Sequence, residues 1–241
     1  MTGQLPGPPP ETDKAEQVRA MFTRIAGRYD LMNTVMTGGR HHAWRHAIAS
    51  AVAGAPSGPV LDLATGTCDL ALAVQRLSPE RGVVGADFSE GMLAEGRRKL
   101  ARSGARRITL VAADALALPF PARTFAFVTS AFLLRNLADL ARGLVEMRRV
   151  TRPGGIVAAL EIVRPDLPGW RRVFGLYFDR VVPVIGALVA CDRQAYTYLP
   201  RSVAEFQTPK ELARLMRDVG FHEVTYRRLG LGTIALHRAR V

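Results

Sequence analysis

Small and acidic residues follow a short apolar segment early in the chain, in a pattern typical of a nucleoside-binding loop. The segment Val60-Leu-Asp-Leu-Ala-Thr-Gly-Thr-Cys-Asp69 indicates a strand that contains Asp62, then a loop of small residues, then a helix. Small residues such as Gly66 let a ligand approach the backbone, and the N–H groups that begin the helix then face it. Alone, the segment also fits an ordinary strand-to-helix turn.

Two further carboxylates strengthen the nucleoside hypothesis. Asp87 ends the second apolar segment, 21 positions after Gly66, where a carboxylate can bind both ribose hydroxyls of an adenosine. Asp114 follows the third apolar segment and could accept a hydrogen bond from the adenine amino group. Each has an alternative role, because Asp87 could stabilise a helix start and Asp114 could be a solvated loop residue. Together, the loop and Asp87 predict adenosine binding.

Two adenosine cofactors compete for this site, a nicotinamide dinucleotide and S-adenosylmethionine. A pyrophosphate favours the turn G-x-G-x-x-G, but Cys68 and Ala71 occupy two of its glycine positions. No Tyr-x-x-x-Lys pair for hydride transfer exists either, since the only lysines are Lys14, Lys99 and Lys210. The sulfonium cofactor has no phosphate to bind, so the sequence favours S-adenosylmethionine. No metal-binding residues are predicted.

The elements that position these residues follow from apolar segments that alternate with helical patterns. Continuous apolar strands separated by helices indicate a parallel sheet covered on both faces. The predicted fold class is therefore α/β, with a doubly wound, mostly parallel, Rossmann-like sheet of seven strands whose last two form an antiparallel pair at one edge. The predicted strands are Val60–Leu63, Gly82–Asp87, Ile108–Ala113, Phe125–Phe132, Ile156–Val163, Val224–Leu229 and Thr233–Leu236.

A helical region before the sheet and an aromatic insert after its fifth strand complete a single predicted domain, residues 15–241. Residues 15–53 are expected to form a helical lid, because their apolar positions recur at spacings of three and four. Residues 1–14 are rich in proline and are expected to be a disordered tail. The insert spans residues 164–207 and carries Trp170, Phe174, Tyr177, Phe178, Tyr196 and Tyr198.

The net charge is high, but its distribution argues against a nucleic-acid partner. The formal net charge is +12, and the arginines that dominate it are scattered rather than collected in one run. No nucleic-acid partner is predicted, whereas attraction to an anionic membrane surface fits this charge. Cys68 and Cys191 are the only cysteines, which is typical of a reducing compartment and predicts a cytoplasmic protein.

Eight segments carry a resemblance to a known family. They are Met21–Asp30, Val60–Thr67, Asp87–Leu93, Asp114–Pro121, Phe132–Asn136, Met147–Gly155, Asp192–Pro200 and Gly232–His237. In these segments the chain resembles the C-methyltransferases of menaquinone and ubiquinone biosynthesis, which methylate demethylmenaquinol or a polyprenyl benzoquinol. The segments around Arg135-Asn136, Asp192–Pro200 and Ala235–His237 are more particular to these quinone enzymes than the glycine-containing loops are.

The resemblance implies the fold of a class I methyltransferase and S-adenosylmethionine as cofactor. The cofactor contacts that it implies, together with those predicted from the loop, are Asp62, Gly66, Thr67, Asp87, Asp114, Ala115 and Ala131. Three positions depart from the family pattern. Cys68 and Leu133 stand where the family usually has glycine, and Cys191 replaces a residue that is commonly small or polar. The first two are expected to affect the shape of the site.

Catalytic roles are predicted for Arg135, Asn136 and Tyr29. Arg135 and Asn136 follow the fourth strand, at the sheet edge where ligands of such folds bind, and are expected to hold or polarise the hydroquinone oxygens. An ion pair of Arg135 with Asp139 is the structural alternative. Tyr29 would act from the lid, although its spacing also fits a packed aromatic side chain.

A base is expected to assist, because a hydroquinone ring reacts more readily once a hydroxyl group loses its proton. The five histidines have a suitable intrinsic pKa. His41 and His42 follow Gly38-Gly39 in the lid and are expected to face solvent. His46, His222 and His237 are the others.

The aromatic insert suits an isoprenoid quinol, as a slot for its tail or as a patch that rests on the membrane. A core or homodimer interface is the alternative for these residues. The leading function is C-methylation of a quinol, with peripheral membrane contact. The alternatives are methylation of another lipid or phenolic acceptor and a non-catalytic scaffold of the same fold. A nucleic-acid methyltransferase is disfavoured, because no Asn-Pro-Pro-Tyr or Pro-Cys segment follows the fourth strand.

Overall fold

A seven-stranded sheet forms the centre of the molecule, in the strand order β3-β2-β1-β4-β5-β7-β6. The structure is a computed structural model and describes residues 11–187 and 192–241. Its strands are β1 Val60–Leu63, β2 Val83–Asp87, β3 Ile108–Ala112, β4 Phe125–Ala131, β5 Thr151–Ile162, β6 His222–Leu229 and β7 Ile234–Arg240. The doubly wound, mostly parallel sheet predicted from the sequence is confirmed.

The strand directions explain where ligands can bind. The first five strands pair in parallel, and β7 runs antiparallel between β5 and β6. The order reverses beside β1, which has β2 on one side and β4 on the other. In open α/β sheets the crevice at such a reversal, outside the carboxyl ends of the strands, is the usual ligand site.

Helices cover both faces of the sheet. They are α1 Glu11–Ile25, α2 Tyr29–Thr37, α3 His41–Ala49, α4 Asp69–Leu77, α5 Glu90–Ser103, α6 Leu140–Val150, α7 Pro168–Leu176, α8 Val182–Ile185, α9 Arg193–Glu205 and α10 Pro209–Asp218. Side chains of one strand alternate between the two faces. Leu61 packs with α6 and α10 on one face, whereas Val60 packs with α3 and α4 on the other.

The N-terminal helical region, for which we keep the name lid, begins earlier than the sequence predicts. Helix α1 starts at Glu11, so residues 11–14, predicted as part of the tail, are helical. A proline directly precedes Glu11 in the sequence, and proline is disfavoured in the interior of a helix. The rest of the predicted tail, residues 1–10, lies outside the described residues.

A third apolar cluster joins the lid to the insert. Met21 and Ile25 of α1 and Met32 of α2 pack with Phe178 and Val182 of the insert. The insert consists of α7, a π-helical turn Tyr177–Val181, α8 and α9, and Cys191 lies outside the described residues. Among the helices of residues 11–187 and 192–241, none combines the length and the apolar character needed to cross a bilayer.

The turn after β1 explains why glycine suits the Cys68 position. Cys68 has φ +70° and ψ +16°, in the left-handed region that glycine adopts most readily. Its buried side chain lies over Gly96 of α5, where an added Cβ would come 2.5 Å from the Cys68 Sγ. The thiol is therefore accommodated by the missing side chain of Gly96.

Candidate active site

Two adjoining cavities lie at the carboxyl edge of the sheet, under the lid. The first, which we call the acidic cavity, contains Asp87 and Asp114 in its wall. Of the predicted site residues it is lined by Tyr29, Gly66, Asp87, Asp114, Ala115, Ala131 and Asn136. The structure therefore brings most of the predicted cofactor residues to one place.

Asp87 holds the loop after β1 against the end of β2. Its Oδ2 accepts a hydrogen bond from the backbone N–H of Gly66 at 2.8 Å, and its Oδ1 accepts one from Ser89 at 2.9 Å. Burial raises the pKa of this carboxyl, and the backbone donors oppose that rise. The glycine loop and the carboxylate are thus joined directly, at the place where the sequence predicts that both face a nucleoside.

Asp114 stands on the exposed side of the same cavity. Its Oδ1 accepts from the backbone N–H of Leu116 at 2.8 Å, in a short turn closed by the Asp114–Ala117 bridge. The turn orients the carboxylate, so Asp114 has a fixed position rather than that of a freely solvated loop residue.

Asp62 and Thr67 do not line the cavity, which differs from the prediction. Asp62 is buried within β1 and accepts from the hydroxyl of Thr65 at 2.7 Å. Burial raises its pKa to about 7. The Thr67 hydroxyl donates to Asp30 at 2.6 Å and accepts from Lys99 at 3.0 Å. Both side chains hydrogen-bond within the protein, and neither forms part of the cavity wall.

Thr67 belongs to a charged network that ties the lid to the sheet. The Lys99 ammonium group on α5 contacts the carboxylates of Asp30 on α2 and Asp69 on α4. Asp69 also pairs with Arg45 of α3 at 3.1 Å, where both side chains are largely buried. The network fixes α2 and α3 above the loop, and Tyr29 lies directly before one of its members.

The second cavity, which we call the apolar cavity, has a volume of about 300 Å³ and lies between the lid and the insert. Aromatic side chains dominate its wall. They are Phe22, Tyr29, Trp44, Phe132, Trp170, Phe174, Tyr177, Phe178, Tyr196 and Tyr198. Phe22, Tyr29, Phe132 and Asn136 line both cavities, so these four side chains form the boundary between them.

Arg135 lines the apolar cavity beside Asn136 and is held by a carboxylate that the sequence did not predict. Its Nη1 donates to Glu161 of β5 at 2.9 Å and to the Phe132 carbonyl at 2.8 Å. Burial raises the pKa of the Glu161 carboxyl, and the guanidinium opposes that rise. The alternative pairing with Asp139 is wrong, because Asp139 caps α6 by accepting from Arg142.

Asn136 is oriented from two sides. Its amide donates to the Phe132 carbonyl at 2.9 Å, and its Oδ1 accepts from the hydroxyl of Tyr198 on α9 at 3.2 Å. The sequence could not show that Glu161 binds Arg135 or that Tyr198 binds Asn136, since 26 and 62 positions separate the two pairs.

The backbone conformation at position 133, where the family usually has glycine, also suits leucine. Its φ of −89° is ordinary for any residue, and the left-handed conformation falls on Phe132, with φ +66°. The Leu133 side chain lines the acidic cavity and narrows it without backbone strain.

The histidines separate into different environments. His42 is exposed as expected, but His41 is buried and lines the apolar cavity, so the expectation of solvent exposure is wrong for His41. His237 is buried in β7, where its Nε2 lies 2.9 Å from the Pro209 carbonyl, outside both cavities. Arg45, on the same helix as His41, pairs with Asp69 of α4, a long-range contact that the sequence pattern does not predict.

The strand order and the helices on both faces of the sheet give the chain the fold of S-adenosylmethionine-dependent methyltransferases, as solved structures show. A methyltransferase of this kind from Aquifex aeolicus superposes with a TM-score of 0.62 at 16% sequence identity, covering 87% of this chain and 96% of that one. The [4+2]-cyclase SpnF superposes with 0.68 at 16% identity, covering 99% and 98%. At such identities the likeness concerns the fold alone, and this fold also hosts a cyclase.

Sequence comparison gives the family. The chain belongs to the ubiE/COQ5 methyltransferase family, whose model matches residues 11–240. The demethylmenaquinone methyltransferase of Roseiflexus castenholzii is 44% identical over 229 residues, covering 95% of each chain. The ubiquinone/menaquinone biosynthesis C-methyltransferase UbiE of Geobacter sulfurreducens is 44% identical over 227 residues, covering 92% of this chain and 88% of the relative.

Ionisation of Asp62 should make the protein less stable as the pH rises. The pKa of Asp62 is about 7 in the folded protein, whereas its usual value is 3.8. Between these two pH values Asp62 therefore holds its proton in the folded protein and loses it in the unfolded chain. The free energy of unfolding should therefore fall by ~1.4 kcal/mol per pH unit in this range from this group. Asp62→Asn cannot titrate and should remove that part of the slope in urea unfolding measured from about pH 5 to pH 8.

The exposed Asp218 offers a matched control, since Asp218→Asn changes the same group outside the core. Its unfolding curves should keep the wild-type slope. Equal slopes for wild type and Asp62→Asn would show that Asp62 is not the titrating group.

Proposed function

We propose that the chain is an S-adenosylmethionine-dependent C-methyltransferase of isoprenoid quinone biosynthesis, which converts demethylmenaquinol into menaquinol or methylates a benzoquinol counterpart. The established names of the relatives in Roseiflexus castenholzii and Geobacter sulfurreducens support this reaction class. The observation that supports the proposal most directly is that the two cavities share a wall, formed by Phe22, Tyr29, Phe132 and Asn136. A cofactor in one cavity and an apolar acceptor in the other would meet there.

The acidic cavity suits a nucleoside that carries a positive charge and no phosphate. Asp87 and Asp114 supply two carboxylates, and no described lining residue is lysine or arginine. A pyrophosphate would lack a cationic partner in such a wall. Asp87 would bind the ribose hydroxyls and Asp114 the adenine amino group, with Gly66, Ala115 and Ala131 allowing close approach. Bound S-adenosylmethionine supplies an already activated methyl group.

The protein's main task is then to align the reacting partners, which can contribute ~7–11 kcal/mol to lowering the barrier. Arg135 stays charged and is fixed by Glu161, so it would stabilise the negative charge of a quinol oxygen. Its Nε is buried and has no protein partner within the described ranges, which leaves a donor for the substrate. Asn136 and Tyr29 would position the ring at the boundary.

The apolar cavity suits a quinol with an isoprenoid tail. Phe174 and Phe178 line it with their rings stacked at 4.8 Å, which favours the tail-slot interpretation for these two residues. The departures at Cys68 and Leu133 are accommodated without blocking either cavity. This geometry favours an active enzyme over a scaffold that binds nothing.

We also place the protein at the cytoplasmic membrane surface, as a peripheral protein. Apolar side chains around the apolar cavity point to solvent, and arginines accompany them. The exposed apolar and basic residues of this region include Leu31, Val35, Arg40, Arg171, Arg172, Val173, Leu176, Arg180, Val181, Val184 and Leu231, and one exposed acid, Asp179, lies among them. An apolar patch with a basic rim suits an anionic bilayer, from which a quinol could enter the cavity directly.

Methyl transfer from labelled S-adenosylmethionine tests the reaction. Reduced short-tail demethylmenaquinol should accept the label and the oxidised quinone should not, because only the reduced ring is electron-rich. Asn136→Ala should lower kcat by roughly 10-fold or more by loosening the alignment, with little change in cofactor affinity. A reduced benzoquinol assayed in parallel identifies the preferred ring. Tight cofactor binding without transfer to any quinol would reject the proposal in favour of another acceptor or a scaffold.

Liposome flotation tests the membrane contact. The variant Val173→Glu/Leu176→Glu places charges on the proposed patch and should reduce co-flotation with anionic vesicles several-fold. Val145→Glu on α6 alters an equally exposed apolar side chain elsewhere and should float like wild type. Equal flotation of all three proteins would contradict membrane contact through this patch.

A further inference from the structure

One face of α2 carries three polar side chains into the apolar cavity. Tyr29, Asn33 and Thr37 are spaced by four residues, about 6 Å apart along the helix, and all three line the cavity. Tyr29 lies at the boundary with the acidic cavity, and Asn33 lies one turn further from it. The Asn33 Nδ2 is buried and has no partner within the described residues. A buried donor without a partner costs free energy, so a ligand acceptor is expected there.

Thr37 fixes the proton position on His41. The Thr37 hydroxyl donates its only proton to the backbone carbonyl of Asn33 at 2.6 Å. The same hydroxyl oxygen lies 2.9 Å from the His41 Nδ1 and must therefore accept a hydrogen bond from it. The Nδ1 of His41 consequently carries the proton, and Nε2 carries the free electron pair. His41 lines the apolar cavity, so Nε2 is the ring nitrogen that remains to accept a hydrogen bond from a ligand there.

The surroundings keep His41 neutral. Burial lowers its pKa to about 4, and Arg45 and His42 on the same helix act in the same direction. The opposing charges are Asp69 on α4 and Asp30 on α2, which Lys99 and Arg45 already pair. The exposed Arg40 precedes the helix and also borders the cavity.

We propose that Asn33 and His41 together bind one hydroxyl group of the reduced quinol, and that His41 accepts its proton during methyl transfer. A hydroxyl both accepts and donates a hydrogen bond, whereas the carbonyl oxygen of the oxidised quinone only accepts. The pair therefore selects the reduced acceptor. This inference rests on the proposed function and adds a catalytic residue to Arg135, Asn136 and Tyr29.

The reaction balances in protons and electrons when His41 accepts the hydroxyl proton. As the ring carbon forms its bond to the methyl group, the O–H electron pair becomes the second bond of a ring carbonyl, and His41 Nε2 takes the proton. The sulfonium becomes a neutral thioether. The methylated carbon then loses its own proton to water, and the oxygen recovers the proton from His41. The ring is aromatic again, His41 is neutral, and one proton is released per methyl group.

A weakly basic histidine is sufficient for this step. The quinol hydroxyl is a weak acid before the reaction, but it becomes strongly acidic as the ring gives its electrons to the new bond. The proton therefore moves late, when even an imidazole of low pKa is the stronger base.

Tryptophan fluorescence measures the selectivity without turnover. The chain has two tryptophans, Trp44 and Trp170, and both line the apolar cavity, so a bound ring should quench their emission. The probes are short-tail menaquinol, which is already methylated, and its oxidised quinone. Wild type should bind the quinol about 10-fold more tightly, and His41→Gln should lose most of this preference. His46→Gln, an exposed histidine on the same helix, should behave like wild type.

The pH dependence of kcat separates a base from a structural residue. His41→Gln should reduce kcat by ~10²-fold at pH 7, and its kcat should then rise with pH as hydroxide ionises the quinol, while the wild-type kcat changes little. Thr37→Val removes the acceptor that orients the ring and should give an intermediate loss.

Wild type that binds quinol and quinone equally would overturn the inference, as would a His41→Gln variant with full kcat. Loss of kcat in His41→Gln that is the same at every pH would also overturn the role as base. A wild type that prefers the quinol but methylates none would instead overturn the proposed function.

Discussion

The charged network between the lid and the sheet is the interaction on which both cavities depend. Lys99 and Arg45 neutralise Asp30 and Asp69, and Thr67 joins the network from the loop after β1. Removing one member would leave a partly buried charge without its partner, which is far more costly than losing an exposed ion pair. The lid helices are therefore held over the carboxyl edge of the sheet, and without them neither cavity would have its outer wall.

The same network also determines where the polar side chains of α2 lie. Because Asp30 is fixed, Tyr29 lies at the boundary between the cavities, and the next two turns of the helix place Asn33 and Thr37 along the apolar cavity. Across the boundary, Glu161 and Tyr198 hold Arg135 and Asn136 in place. The site is thus assembled from three regions, the lid, the end of β4 and the insert, each of which is fixed by polar contacts to another.

The features that depend on local sequence could be predicted. Buried parallel strands are continuous apolar runs, so Val60–Leu63 was predicted with the bounds that the structure has. Asp87 was identified because a carboxylate at the end of a second strand has a recognisable distance from the glycine loop. These signals lie within one element or one strand–helix unit.

The contacts that span the chain could not be predicted. Nothing near Glu161 in the sequence indicates that it pairs with Arg135, and nothing near His41 indicates that the lid turns it inward. Thr67 was expected to contact the cofactor, yet its hydroxyl bonds to a residue 37 positions earlier. Such pairings depend on how helices pack on the sheet, which the pattern of one segment does not contain.

The central claim is that cofactor and acceptor occupy adjoining cavities and meet at Tyr29, Phe132 and Asn136. The most direct measurement is a crystal structure with S-adenosylhomocysteine and a reduced short-tail demethylmenaquinol. We predict the thioether sulfur at this boundary and the quinol ring in the apolar cavity, with its unsubstituted carbon facing the sulfur. A ring bound instead in the groove between Lys14 and Arg201, on the other side of Arg135, would contradict the account.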